Sequence, residues 1–167
     1  VTPELHRPVA ADRIGRQTQE QVVEASAAEC QAIGARLRIP AVLSLVCRFD
    51  LRRGPAEGLA IEAEGQLAAR VVRECVVSLE PFEMDVAETF ALRFVPRGSE
   101  IEDDDPELID EVPFDNGAID LGEAAVEQLA LALDPFPRDP AAVVPALDEA
   151  ETPTSPLAAA LVARKPR

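Results

Sequence analysis

Few residues in this chain have the chemistry of catalysis, and they do not come in sets. The single histidine, His6, stands near the start, and the three cysteines, Cys30, Cys47 and Cys75, are widely spaced. A serine or cysteine nucleophile needs a base within hydrogen-bond reach, so every such pair would have to run through His6. We read His6 instead as an ordinary exposed or edge histidine. There is no HExxH, no GxSxG and no glycine-rich phosphate loop. The expectation is no catalytic residue, no cofactor and no small-molecule substrate.

Two further groupings have ligand chemistry. Cys75-Val76-Val77-Ser78 is a C-x-x-S. With no other Cys or His nearby in sequence it cannot complete a zinc site, and Cys75, like Cys47, is expected to be a small core residue. The run E-I-E-D-D-D-P-E-L-I-D-E from Glu100 carries the oxygens that calcium or magnesium would take, yet it lacks the glycine and spacing of an EF-hand loop. No metal is expected. The run reads as a solvated loop over 99–117, a docking strip for a basic protein or a decoy for RNA, in which Asp103, Asp104 and Asp105 supply charge and Leu108, Ile109, Val112 and Phe114 are apolar anchors.

The charge balance points the same way. Sixteen Lys+Arg against 31 Asp+Glu give a net charge of −15, which opposes approach to a phosphate backbone or an anionic membrane. Nine of the acids lie between Glu100 and Asp115, with no basic residue among them. Arg48, Arg52, Arg70 and Arg73 lie on expected strands and give a second reading, direct contact with RNA.

The elements that must hold these groups are readable from period and punctuation. A length of 167 residues with mean hydropathy +0.01 suits one globular core, and no apolar run approaches the ~20 residues of a membrane span. The cysteine usage, with no secretory signal in the chain, predicts a cytoplasmic protein. Val1–Arg16 reads as a short edge strand limited by Pro3 and Pro8, and Gln21–Ala25 as a second strand. Ser26 and Glu29 form a capping box ahead of a helix over 27–37, closed by Pro40. From Val42 the period becomes two: Leu43, Leu45, Cys47, Phe49 and Leu51 share a face. A turn from Gly54 to Gly58 leads to a partner strand from Leu59 to Leu67, with Arg48 and Arg52 opposite Glu62 and Glu64. Val71–Leu79 reads as a further strand ended by Pro81, and Met84, Val86, Phe90, Leu92 and Phe94 as the inner face of another. The longest helical pattern is 121–133, opened by a second capping box, Asp120 with Glu123, and stopped by Pro135. Leu121, Ala125, Leu129, Ala132 and Leu133 line its apolar face, Ala124, Val126 and Leu131 widen it, and Glu123, Glu127 and Gln128 keep a polar strip.

The expected fold is therefore α+β, a twisted antiparallel sheet with room to curl towards a partial barrel, with the two helices packed on it. Residues 1–137 form one domain, and the Pro/Ala-rich remainder, 138–167, reads as a flexible tail with a short helix over 156–164.

Three pieces in order, R-E-C-V-V-S-L-E-P at 73–81, T-F-A-L-R-F-V-P at 89–96 and A-I-D-L-G-E-A-A-V-E-Q-L-A-L-A-L-D-P-F-P at 118–137 with the acidic run before it, make the chain resemble the YceD-like family, the large ribosomal RNA subunit accumulation proteins, in their alphaproteobacterial form. The resemblance runs from about Glu4 to Pro137, with a closing short helix near Ser155–Lys165. It is most specific at Asp120, Leu121, Leu131, Leu133, Pro135 and Pro137. Many members have C-x-x-C where this chain has Cys75 and Ser78, a pattern that suggests metal, and the hydroxyl here removes a soft ligand. The resemblance implies a part in synthesis, processing or stability of large-subunit (23S) ribosomal RNA, without catalysis. A basic ribosomal protein or large-subunit assembly factor is then the natural partner. The expected partner surface is Glu123, Glu127, Asp134, Pro135 and Pro137 together with Asp103–Asp105. The alternative is ribosomal RNA itself on Arg48, Arg52, Arg70 and Arg73.

Overall fold

Alternating apolar residues build the sheet, and side-chain volume sets its details. In the computed structural model, which describes residues 3–55, 59–99 and 109–143, β3 (Ala41–Arg53) pairs antiparallel with β4 (Ile61–Glu74). Leu45, Cys47, Phe49 and Leu51 face inward as expected. Leu43 does not. A bulge between Val42 and Ser44 turns Leu43 out to 48% exposure and puts Val42 in the core. β4 is one strand of 14 residues rather than two, because Ala68–Arg70 continue its pairing on both sides. It ends at Glu74, so Cys75–Ser78, expected in a strand, form a turn.

The inner face of β4 lacks a side chain at Gly65, and Phe90 of β5 (Pro81–Pro96) fills the place. A Cβ there would come within 2.1 Å of the Phe90 ring. That ring meets Phe49 edge to face, with centroids 5.7 Å apart. β2 (Gln19–Glu24) extends the sheet beyond β3. On the other side β6 (Asp110–Phe114) joins β5 in parallel, Leu92 beside Asp110. The sheet of five strands, ordered β2-β3-β4-β5-β6, is thus mixed rather than antiparallel. Part of the expected acidic loop is strand, because Val112 and Phe114 give that stretch a face to bury. This sheet does not close into a barrel, and the fold is α+β as expected.

The helices lie on the apolar face. α1 (Ala27–Leu37) opens on the expected box, Ser26 Oγ accepting the Glu29 amide while Glu29 accepts the Ser26 amide. It closes on a left-handed Arg38 two residues before Pro40. α2 (Leu121–Ala132) opens on Asp120, which accepts the amides of Gly122 and Glu123. The reciprocal half of the expected box is not made, for Glu123 is drawn to Arg36 on α1. Leu121, Ala124, Ala125, Val126 and Leu129 are buried, whereas Leu131 is 73% exposed. The apolar stripe is narrower than the sequence suggests.

The start of the chain is a strap across this layer. β1 (Pro8–Ala10) pairs with β7 (Ala118–Asp120), which runs straight into α2. A Cβ on Gly122 would lie 2.4 Å from the Leu5 carbonyl oxygen, so only glycine lets the strap cross here. Leu5 and, after β1, Ala11 and Ile14 enter the same core as the sheet and helices.

Candidate functional site

The open face of the sheet carries the arginines. Arg52 stands opposite Glu62 as expected and pairs with it at 2.8 Å. Arg48 stands opposite Gln66, not Glu64, and pairs with Glu20 of β2 at 3.0 Å. Arg70 is held by Glu83 at 2.8 Å, with Asp85 at 3.9 Å, and Arg93, which the sequence reading passed over, bridges towards Glu62 and Glu111. Arg73 projects from the other face, its guanidinium donating to the Asp134 carbonyl at 3.0 Å. The four arginines therefore do not make one patch, and each meets an oxygen acceptor of the chain.

At the N-terminal end of α2 a charged lattice ties the strap, α1 and α2. Arg36 makes two bonds to Glu123, at 2.6 and 2.7 Å, and a third to Glu4 at 2.9 Å. Arg7 grips both oxygens of Glu29, which together with the Ser26 amide and hydroxyl holds that carboxyl down to about 2. Asp120 takes His6 Nδ1 at 2.5 Å and the Arg7 amide at 2.9 Å. Burial works to raise the Asp120 pKa, but these partners outweigh it and the carboxyl is lowered. His6 is thus at an edge, as expected, and has a carboxylate partner.

Beside this lattice a groove of about 680 Å³ runs between α2, β6 and β7. Pro8, Val112, Pro113 and Ala118 form its sides, with Phe94, Ile119 and Ala124 beneath, and Asp115, Asp120, Glu123 and Glu127 stand along it. Asp115 is paired with Arg97 at 2.9 Å. Glu127 is different: burial and the neighbouring Glu123 charge raise its pKa, and no hydrogen bond or ion pair among the described residues reaches it. The groove was not legible in the sequence, because it needs the parallel placement of β6 beside β5.

The expected corner after α2 lies elsewhere. Twelve helical residues separate the two ends of α2, about 18 Å of axis, so Asp134–Pro137 are not beside Glu123. Asp134 accepts the Phe136 amide at 2.8 Å, Pro135 is exposed, and Pro137 is buried with its carbonyl accepting from Val76. Asp103, Asp104 and Asp105 lie outside the described residues, as does the expected helix over 156–164.

Cys75 sits in this corner, fully buried but apart from the hydrophobic core that holds Cys30 and Cys47. Its Sγ accepts the amides of Val77 at 3.4 Å and Asp139 at 3.3 Å. Hydrogen bonds from the Ser78 hydroxyl and amide come first in bringing its pKa down to about 7, whereas burial pushes Cys47 up to about 12. The sulfur's surroundings are amides and a hydroxyl, with no second thiolate. That donor set does not fit a metal.

Among the described residues no helix is long and apolar enough to cross a membrane. Residues 63–156, more than half of the chain, match the family described as Large ribosomal RNA subunit accumulation protein YceD, and the chain belongs to that family. No curated protein and no solved structure gives a significant match. The family's name assigns it a role in accumulation of large-subunit ribosomal RNA.

Proposed function

We propose that this member of the family of large ribosomal RNA subunit accumulation proteins is a non-enzymatic ribosome-biogenesis factor. It supports synthesis, processing or stability of 23S ribosomal RNA in the cytoplasm by holding a basic ribosomal or assembly protein. The observation that carries this reading is the pairing of the sheet-face arginines. Arg48, Arg52 and Arg70 each answer a carboxylate of the chain, so among the described residues the sheet face does not set a free basic surface of the kind RNA needs against the net charge of −15. In this reading the domain over 1–137 presents Glu123, Glu127 and Asp103–Asp105, and Asp134, Pro135 and Pro137 act as a separate corner.

Affinity capture at low salt from lysate tests it. Enrichment of basic ribosomal or assembly proteins, retained after RNase treatment, is expected. Recovery of large-subunit RNA that falls steeply with salt and weakens in Arg52→Ala and Arg70→Ala would instead establish RNA as the direct ligand.

A further inference from the structure

The groove beside α2 contains a charge that no described residue answers. Three of its carboxylates are satisfied within the chain: Asp115 by Arg97, Asp120 by His6 and the Arg7 amide, and Glu123 by Arg36. Among the described residues Glu127 has no such partner; it stands exposed in the groove lining, next to Glu123. Arg36 is committed to Glu123 and Glu4 and reaches Glu127 only through space. A carboxylate beside a like charge is stabilised by any cation that can come close. The sides of the groove, Pro8, Val112 and Ala118, are apolar, the surface on which the methylene stem of a long basic side chain packs while its head stays charged. One more feature fixes the sign. No lysine or arginine is among the residues that line it, and Asp110 begins the strand that forms one wall.

We infer that this groove seats a short basic segment of the partner protein, with one lysine or arginine placed against Glu127 and its stem along Val112 and Pro8. This rests on the proposed reading of a basic protein partner and says where and by what chemistry that partner is gripped. The charge pattern is complementary to such a peptide and repels both nucleic acid and a second copy of this chain.

The test is fluorescence anisotropy of a labelled Gly-Lys-Leu-Arg-Leu-Lys-Gly peptide with the full chain, its Glu127→Gln variant and, as a control on the sheet face, Glu83→Gln. Glu127→Gln is expected to weaken the peptide roughly tenfold, Glu83→Gln less than twofold, and a peptide with Glu at the basic positions should not bind. Equal weakening by both variants would reduce the effect to general acidity and overturn the site, as would unchanged affinity in Glu127→Gln. A urea midpoint at or above that of the parent checks the Glu127→Gln fold. Capture from lysate separates this failure from that of the wider reading. If parent and Glu127→Gln retain the same basic proteins equally, the groove is wrong and the partner class stands; if neither retains any, the partner class itself falls.

Discussion

The two ends of α2 are secured by different means. At its start, charge does the fastening: Arg36 with Glu123 and Glu4, Arg7 with Glu29, and Asp120 with His6. At its finish the acceptors are backbone carbonyls and one sulfur. The Pro137 carbonyl accepts from Val76, the Asp134 carbonyl from Arg73, and Cys75 Sγ from Asp139. The surfaces differ correspondingly. The first end exposes carboxylates, while the second leaves Leu131 73%, Phe136 70% and Leu79 69% exposed. Ion pairs hold an element without covering it, so the charged end keeps an open groove, and the backbone-bonded end spends its polar groups inward and turns apolar side chains out. One helix thus offers two chemically distinct surfaces about 18 Å apart.

The largest effect that breaks this contrast is expected from Gly122→Ala. Its new methyl must displace the Leu5 backbone and so unseat the strap, at a cost of about 1–3 kcal/mol in urea unfolding. A change below ~0.5 kcal/mol would mean that the strap yields freely. Arg36→Ala frees Glu4 and Glu123 together and should cost about 1 kcal/mol. The loss should shrink in high salt, whereas a Val76→Pro change at the other end, which removes the amide bonded to Pro137, should show no such salt dependence.

Acidity separates the ends further. Glu29 is lowered in the fold from an ordinary 4.5 to about 2, so its contribution is complete above the ordinary value and is lost as pH falls towards 2. Arg7→Ala should flatten that acid limb. Cys75 is lowered from 9.0 to about 7, so stability on its account is complete above 9 and falls as pH drops through 7, a slope that Cys75→Ser should abolish. Denaturation over a pH series reads both. The smallest effect is expected from Leu131→Ser with Phe136→Ser, within about 0.5 kcal/mol. A larger loss would show that these side chains are covered, and retention times on a hydrophobic column report the change directly.

What could be read from the sequence follows how locally each feature is determined. The Ser26–Glu29 box is settled within four residues and is realised in full. Asp120 and Glu123 have the same spacing, yet Glu123 answers Arg36 across 87 positions, which no local pattern encodes. Leu43 alternates correctly in sequence and still faces solvent, because the bulge is fixed by the register with β4. Val71–Leu79 looked like a strand of its own since β-branched residues crowd it, but pairing with both neighbours makes 61–74 continuous. The same limit hid the groove. Its carboxylates were visible as charges, and Glu123 and Glu127 were singled out, while the walls that make them a site come from β6 and β7, placed by a parallel crossover and by the strap.

That strap also governs when the chain can finish folding. Pro8 pairs with Asp120, and the Arg7 amide bonds the Asp120 side chain across 113 positions. Closing so wide a separation is slow, and during synthesis the partner does not yet exist when the first residues emerge. The five-stranded sheet can assemble while Leu5 and the Arg7–Glu29 grip still wait for α2. A chain interrupted before about residue 120 has a sheet with the α2-covered part of its apolar face bare, a late checkpoint written into the topology.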